Sequence, residues 1–424
     1  MRNLKQGDMG PDVMLLQSTL KKIGFFDGEI TGDYGEDTTL AVQNFQRANG
    51  IRITGDFDVA TYNQLEKYIL GYALYTVNEE DTADTIAEKF GTTVKNIEAA
   101  NPNTDIYSLA VGQELTVPYG TQVVYTDIDY TYEVLELNIR GLKERYPFLE
   151  VGVAGYSLLG RNLYFIKIGG GKNEVFYNAA HHSLEWITTP VLMKFIEDFA
   201  EAFVNNQDLS WGYDPERIWK SSTIYIMPMV NPDGVELVLN GLQRDNPYYN
   251  DLIKWNGGSN DFSKNWQANS RGVDLNHNYN AGWEAYKERE TEFGITGPGP
   301  TRYAGPSPES EPETKTVADF TRNRNFRLVL AYHSQGEVIY WNFMNLNPPD
   351  GEYIGRALAS ASGYSLEMAS GPAAYSGYDD WFTKEFNKPG YTIEVGRGKN
   401  PLPISQFDEI YSDNLEMLLL AAII

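Results

Sequence analysis

The sequence predicts a multidomain chain: a small all-α module of three helices, a second module ordered strand–helix–helix–strand, and a large α/β/α domain on a mixed sheet. Three observations predict it. In the first segment apolar residues recur at helical spacing, as Val13, Leu16 and Leu20 do, and again Leu40, Ala41, Phe45 and Ala48. Over about 74–118, two strand-like runs bracket two helical ones. From about 121 onward, short continuous apolar runs alternate with helical patterns, as strands buried on both faces do. A chain of 424 residues accommodates such a division, which falls at 1–72, 73–119 and 120–424.

Composition narrows the function. The net charge of −24 argues against a protein that tracks a nucleic-acid backbone. With no cysteine, thiol catalysis and thiolate metal sites are excluded. No run of eighteen or more apolar residues is present, so no membrane span is expected. The opening "MRNLKQGDMGPDV" lacks a basic-then-apolar signal segment, and the apolar "LEMLLLAAII" reads as a helix end packed on the core.

In the first module, "GFFDGEITGDYGEDT" is a turn-rich loop whose last residues are expected to cap the next helix. Gly7, Val13, "LLQSTL", Gly24, "DGEITGDYGEDTTLAVQNFQRANGI" and Gly55 together resemble the three-helix peptidoglycan-binding domain. In the second, a helix opened by Asp81 or Thr82 turns at Gly91, and "LAVGQELTVP" returns as a strand stopping at Pro118. Tyr75, Val77, Ile86-Ala87, Phe90, Ile97, Asn101-Pro102, Gly112-Gln113 and Leu115 to Pro118 resemble a LysM domain. That resemblance implies binding of the N-acetylglucosamine-containing glycan of peptidoglycan or chitin.

The third segment carries the chemistry. "YFIKIGG", "EVFYNAA", "TIYIMPMV", "FRLVLAYH" and "GYTIEV" read as strands, and "TTPVLMKFIEDFAEAFVNN" as a helix capped by Thr188 or Thr189 with Pro190 in its first turn. Helices should cover both sheet faces, with functional groups at the carboxyl ends of strands. Two of the four histidines stand side by side in "NAAHHSLEW", just past one such end. His182 and Glu185, three apart, can reach one ion, and His333 at the end of "FRLVLAYH" offers a third ligand. Two histidines and one carboxylate with an open position make a catalytic zinc site. Glu394, on the strand "GYTIEVG", can take a proton from the attacking water and pass it to the leaving amine. "SRGVDLNHNYNAGW" supplies Arg271, Asp274, Asn276 and His277, and "MVNPDG" reads as a tight turn after a strand.

HxxE, NPDG, GVDLNxN, HS and a strand-borne glutamate, in that order, resemble the zinc metallocarboxypeptidase family over nearly all of 125–420. The resemblance implies Zn2+ on His182, Glu185 and His333, and Glu394 as general base and acid. It implies that Asp274 holds the other ring nitrogen of His182, and that Asn276 contacts a substrate carboxylate or carbonyl. His181 falls outside the spacing and reads as a support behind the ligands or as packing. Two slots depart from the family. His277 stands where the family commonly carries a carboxylate-clamping arginine, a forked contact histidine cannot make. Gln267 holds the slot of the arginine that stabilises the tetrahedral intermediate, and the nearby Arg271 is the expected replacement. Tyr375, with Tyr378 next to it, is the candidate pocket tyrosine, and Arg397 is placed to meet an anionic substrate.

Both adaptors and the peptidase point to peptidoglycan: its glycan strand for the modules, its stem peptide for the catalytic domain. The combination resembles the γ-D-glutamyl-L-diamino acid endopeptidases, implying hydrolysis between D-glutamate and meso-diaminopimelate. Alternatives are a metallocarboxypeptidase releasing C-terminal residues and a non-catalytic wall-binding protein. Glycan hydrolysis would need facing carboxylates that no spacing requires. The expected location is the cytoplasm, a sporulating cell reconciling it with wall material, or the wall itself.

Overall fold

The computed structural model describes residues 1–344 and 346–424. They form two compact units: residues 1–150 with 197–207, and residues 151–196 with 208–424.

The first unit opens with helices Pro11–Lys22, Glu36–Ala48 and Val59–Leu70. Their buried stripe is Val13, Leu16, Leu20, Val42, Phe45, Leu65 and Ile69. The sequence "ITGD" occurs twice, at 30–33 and 53–56, and each copy is held alike: Gln17 Oε1 accepts from the Thr31 and Gly32 amides, Gln46 Oε1 from Thr54 and Gly55. The loop before the second helix does not cap it with a side chain. Gly35 occupies that position, and the acidic Glu36 and Asp37 meet the helix dipole instead.

Strands β1 (Tyr72–Thr76) and β2 (Glu114–Pro118) pair antiparallel around helices Ala83–Phe90 and Val94–Ala100. Their small core is Val77, Ile86, Ile97, Ile106, Leu115 and Val117. Thr82 is the cap, accepting from the Thr85 amide, whereas Asp81 accepts from the Asn78 amide and the Tyr75 hydroxyl. The compact units divide elsewhere than at the expected residue 120. Val123, Val124, Tyr125, Ile128 and Tyr130 are buried in the first unit, and both Val123 and Val124 donate their amides to the Glu197 carboxylate. This apolar run and the helix Tyr132–Arg145 after it therefore fold with the small modules.

The second unit is built on an eight-stranded mixed sheet. Its strands are β3 (Glu150–Tyr156), β4 (Asn162–Gly169), β5 (Asn173–Ala179), β6 (Ser222–Met227), β7 (Leu328–Ser334), β8 (Val338–Tyr340), β9 (Ser365–Glu367) and β10 (Gly390–Val395), in the order β3-β4-β6-β5-β7-β10-β8-β9. The central β6, β5, β7 and β10 run parallel, while β4 and β8 pair antiparallel to β6 and β10. Alternation along β5 sorts the two faces. Phe176 joins Val329, Phe320, Tyr378 and Trp381 in one core. Its neighbour Tyr177 points the other way, donating its hydroxyl to the Leu418 carbonyl of the helix Phe407–Ile423 at 2.9 Å. Helices thus cover both faces, and "LEMLLLAAII" is the buried end of one of them.

Candidate active site

The parallel register sets the site. Ala179 at the end of β5 lies opposite Tyr332 of β7, and Glu394 of β10 lies opposite His333. Register partners share a sheet face, so His333 and Glu394 point the same way at the same edge.

Just past β5 the chain turns sharply. Ala180 has φ of 55°, a left-handed backbone that a buried alanine adopts only when its surroundings hold it there. The surroundings do so: its amide donates to Thr188 Oγ1 and its carbonyl accepts from the Asn231 amide. Thr188 also donates to the Glu185 carbonyl, at 2.7 Å. Thr188 therefore braces this turn; it is the first residue of helix Thr188–Asn205 and not the cap expected for it. "NPDG" is likewise no isolated turn. Asn231 caps helix Pro232–Leu239 through the Gly234 amide and gives its Nδ2–H to the His181 carbonyl.

The short 3-10 turn Ser183–Glu185, with His182 preceding it, then brings three side chains together. His182 Nδ1 lies 3.0 Å from Glu185 Oε1, His333 Nδ1 lies 2.9 Å from Glu185 Oε2, and the two Nδ1 atoms are 3.2 Å apart. On its other side, His182 Nε2 meets Asp274 Oδ1 at 3.1 Å. A neutral His182 that donates from Nε2 presents its Nδ1 lone pair to the cluster. Lone pairs from two rings and a carboxylate then converge on one point. Such a donor set suits a divalent cation, and all three groups offer ligand atoms within 4.8 Å of one another. The residues present fit zinc.

The electrostatics agree. Burial works against a charged His182, but the Glu185 and Asp274 carboxylates outweigh it and hold the ring well above its usual range. The same field attracts a metal cation. Asp274 is itself fixed: Oδ1 accepts from the Asn276 amide, and Oδ2 from the Arg302 amide at 2.7 Å. Burial, together with the Glu185 charge, raises Glu394 well above the ordinary carboxylate range. A divalent ion at the neighbouring cluster acts in the opposite direction.

The remaining sequence candidates fall in different places. The Arg271 guanidinium is committed to the fully buried Glu311 through Nε and Nη2, at 3.1 and 3.0 Å. It thereby serves the packing of the loop, in contrast to the expected role at an oxyanion. Gln267, in the slot after Trp266, accepts the Thr301 hydroxyl on its Oε1 at 2.7 Å, and its carbonyl accepts from the Ser183 amide. Asn276 Oδ1 accepts from the Tyr378 amide at 3.0 Å. His277 stacks on Tyr286 with centroids 4.5 Å apart and directs Nδ1 to the Tyr375 carbonyl. Tyr375 receives Arg289 on its hydroxyl at 3.2 Å, whereas Tyr378 is core, its hydroxyl against Thr321. Arg397 is exposed and paired with Glu337 at 2.6 Å. His181 is sealed in the core, with Nε2 on the Tyr279 hydroxyl at 2.8 Å and its ring stacked on His333.

Asn400 was missed from the sequence. Its Nδ2 reaches Glu185 Oε1 at 3.3 Å, and its Oδ1 accepts from Ser334, next to His333. Lying 215 positions from Glu185 in no motif, it leaves no sequence signal.

Two rings and a carboxylate at the carboxyl ends of adjacent parallel strands, with a further carboxylate on the next strand, are the layout of a mononuclear zinc peptidase. The chain belongs to the zinc carboxypeptidase family, whose model matches residues 135–417. A peptidoglycan binding domain matches residues 9–65 and a LysM domain residues 75–118. Among similar proteins, a γ-D-glutamyl-L-diamino acid endopeptidase 1 from Lysinibacillus sphaericus is 42% identical over 69% of this chain and 72% of its own. Carboxypeptidase B of Rattus norvegicus is 27% identical over 62% of each chain. The solved structure of bovine thrombin-activatable fibrinolysis inhibitor in complex with tick carboxypeptidase inhibitor superposes with a TM-score of 0.51 at 22% identity, covering 69% of this chain and 95% of that one, and shows the shared fold. The protein is a zinc metallopeptidase carrying two wall-binding modules.

Proposed function

We propose that the protein hydrolyses the γ-D-glutamyl–diaminopimelate bond of peptidoglycan stem peptides at the wall, with its small modules holding the glycan strand. The observation that carries this reading is the juxtaposition of the His182–Glu185–His333 donor set with Glu394, in a chain 42% identical to a γ-D-glutamyl-L-diamino acid endopeptidase. Two modules anchored on the polymer would raise the local concentration of stem peptide.

His182, Glu185 and His333 would hold the zinc ion, which would supply Lewis-acid polarisation of the scissile carbonyl. The chain's own residues do the rest. Asp274 Oδ1 keeps the His182 proton on Nε2, fixing the ring's tautomer and direction. Asn400 steadies Glu185 from the side. Glu394 takes a proton from the attacking water on its carboxylate and delivers it to the departing amine, so that the leaving group departs neutral.

The alternative, release of C-terminal residues as by a carboxypeptidase, needs a cation to hold a terminal carboxylate. At the slot in question stands His277, which burial keeps below its usual range. The endopeptidase reading is therefore preferred. The test is incubation of zinc-loaded protein with L-Ala-γ-D-Glu-meso-diaminopimelate and its D-Ala-extended form, read by mass spectrometry beside a chelated sample. Release of L-Ala-D-Glu, abolished by the chelator, is expected. Loss of terminal D-Ala alone would assign the carboxypeptidase activity instead.

A further inference from the structure

His277 is fixed from two sides. Its Nδ1 lies 3.0 Å from the Tyr375 carbonyl, an oxygen that can only accept, so the ring proton resides on Nδ1. Its face stacks on Tyr286 at 4.5 Å with an interplanar angle of 6°. Tyr286 is itself pinned, its hydroxyl donating to the Arg302 carbonyl at 2.7 Å. In the neutral ring the lone pair is thus on Nε2. That atom has no hydrogen-bond partner among the described residues, yet it is not sealed from solvent, and the residue retains 8% exposure. Burial keeps the ring below its usual range, which favours this neutral form.

The placement is close to the reaction centre. His277 ends the 3-10 turn Leu275–His277, whose preceding residue Asp274 holds His182 Nε2. Three residues of such a turn advance about 6 Å. The site therefore offers, one short turn from the metal cluster, a rigid hydrogen-bond acceptor with no proton of its own to give. A carboxylate placed there would meet lone pair against lone pair. An ammonium would meet its complement, and a charged donor in a partly buried position gains more than a neutral one.

We propose that His277 Nε2 accepts a hydrogen bond from the free side-chain ammonium of the substrate's diamino acid, and so selects for the second amino group. The inference rests on the stem-peptide reading above. It specifies which substrate group the histidine reads and why a diamino acid is required.

The test is equilibrium binding, which needs no turnover. Glu394→Gln protein loaded with zinc is titrated calorimetrically with L-Ala-γ-D-Glu-meso-diaminopimelate and with the analogue in which 2-aminopimelate replaces diaminopimelate. The amino-bearing peptide should bind about tenfold more tightly, about 1.4 kcal/mol. In His277→Phe, which keeps an aromatic face for Tyr286, the two peptides should bind alike. Equal affinities with His277 intact would overturn the proposal, and that comparison needs no variant at this position. Nitrogen NMR of the imidazoles, manageable with four histidines, reads the tautomer directly. Nδ1 protonated and Nε2 bare is expected, and the reverse would also overturn it. Cleavage of the parent peptide by the wild-type enzyme, scored separately, tests the stem-peptide reading itself. Cleavage without discrimination between the two peptides refutes only the role of His277.

Discussion

Glu394 is the residue on which turnover should depend most and metal retention least. It shares a sheet face with His333 but is not one of the three converging ligand groups. Glu394→Gln preserves shape and removes the proton acceptor, so kcat should fall about 10²–10⁴-fold while zinc content by elemental analysis is unchanged. Loss of zinc along with activity would move Glu394 into the ligand set. At this scale the sequence was informative where spacing carried chemistry. His182 and Glu185 sit three apart on one turn, and His333 and Glu394 end recognisable strands. It was silent where a partner comes from afar. Nothing in "GRGKNPLP" announces that Asn400 touches Glu185. Nothing in "RGVDLNHN" reveals that the arginine is spent on Glu311, or that the histidine's Nδ1 is occupied by a carbonyl. Those facts depend on which loops pack together, and short-range pattern does not encode that.

Elements show the same division. β4, β5, β6, β7 and β10 were legible as apolar runs because the core demands them on one or both faces. β3, "EVGVAGY", stands at the sheet edge with little buried side chain, and β8 and β9 have three residues each, too short for a pattern to emerge. The loop from Asn269 to Asp274 owes its form to polar contacts. Asn269 Oδ1 accepts from the Arg271 and Val273 amides, its Nδ2 donates to Glu311, and Arg271 closes the pair on that same carboxylate. Arg271→Met should leave Glu311 buried with its main counter-charge gone and lower stability by about 3 kcal/mol, measured by chemical denaturation. The companion Arg271→Met/Glu311→Gln should recover much of that loss. Were Arg271 instead an oxyanion donor, the single variant would lose activity at unchanged stability.

At the scale of the whole molecule, stability should vary with pH through a carboxyl remote from catalysis. Glu313, in the first turn of helix Pro312–Arg322, is buried and accepts from the Leu158 amide at 2.8 Å. Burial, with the nearby Asp233 and Glu311 charges, pushes it up from 4.5 to about 8. Between these values the unfolded chain has released the proton and the folded chain has kept it. This group's contribution is thus full below pH 4.5 and is lost progressively as the pH rises to about 8. Glu313→Gln, which can still accept from Leu158, should flatten that decline in thermal unfolding followed from pH 5 to 9. An unchanged slope would show that the carboxyl is ionised in the fold. The modular plan was readable from three distinct patterns along the chain. The apolar residues from Val123 to Tyr130, counted by position with the third segment, pack as core of the first compact unit, because burial and not order along the chain decides which unit they join.

The ligand-bearing turn at 182–185 and the ligand-bearing strand end at 333 are about 150 positions apart, brought together only by the pairing of β5 with β7. A newly made chain that has emerged through Glu185 holds a histidine and a carboxylate, two weak ligands that exchange metal freely. The high-affinity set appears only when β7 has been synthesised and docked. Metal capture is thus a late event in the life of each molecule, and a chain that stalls before that pairing has no means of becoming a peptidase.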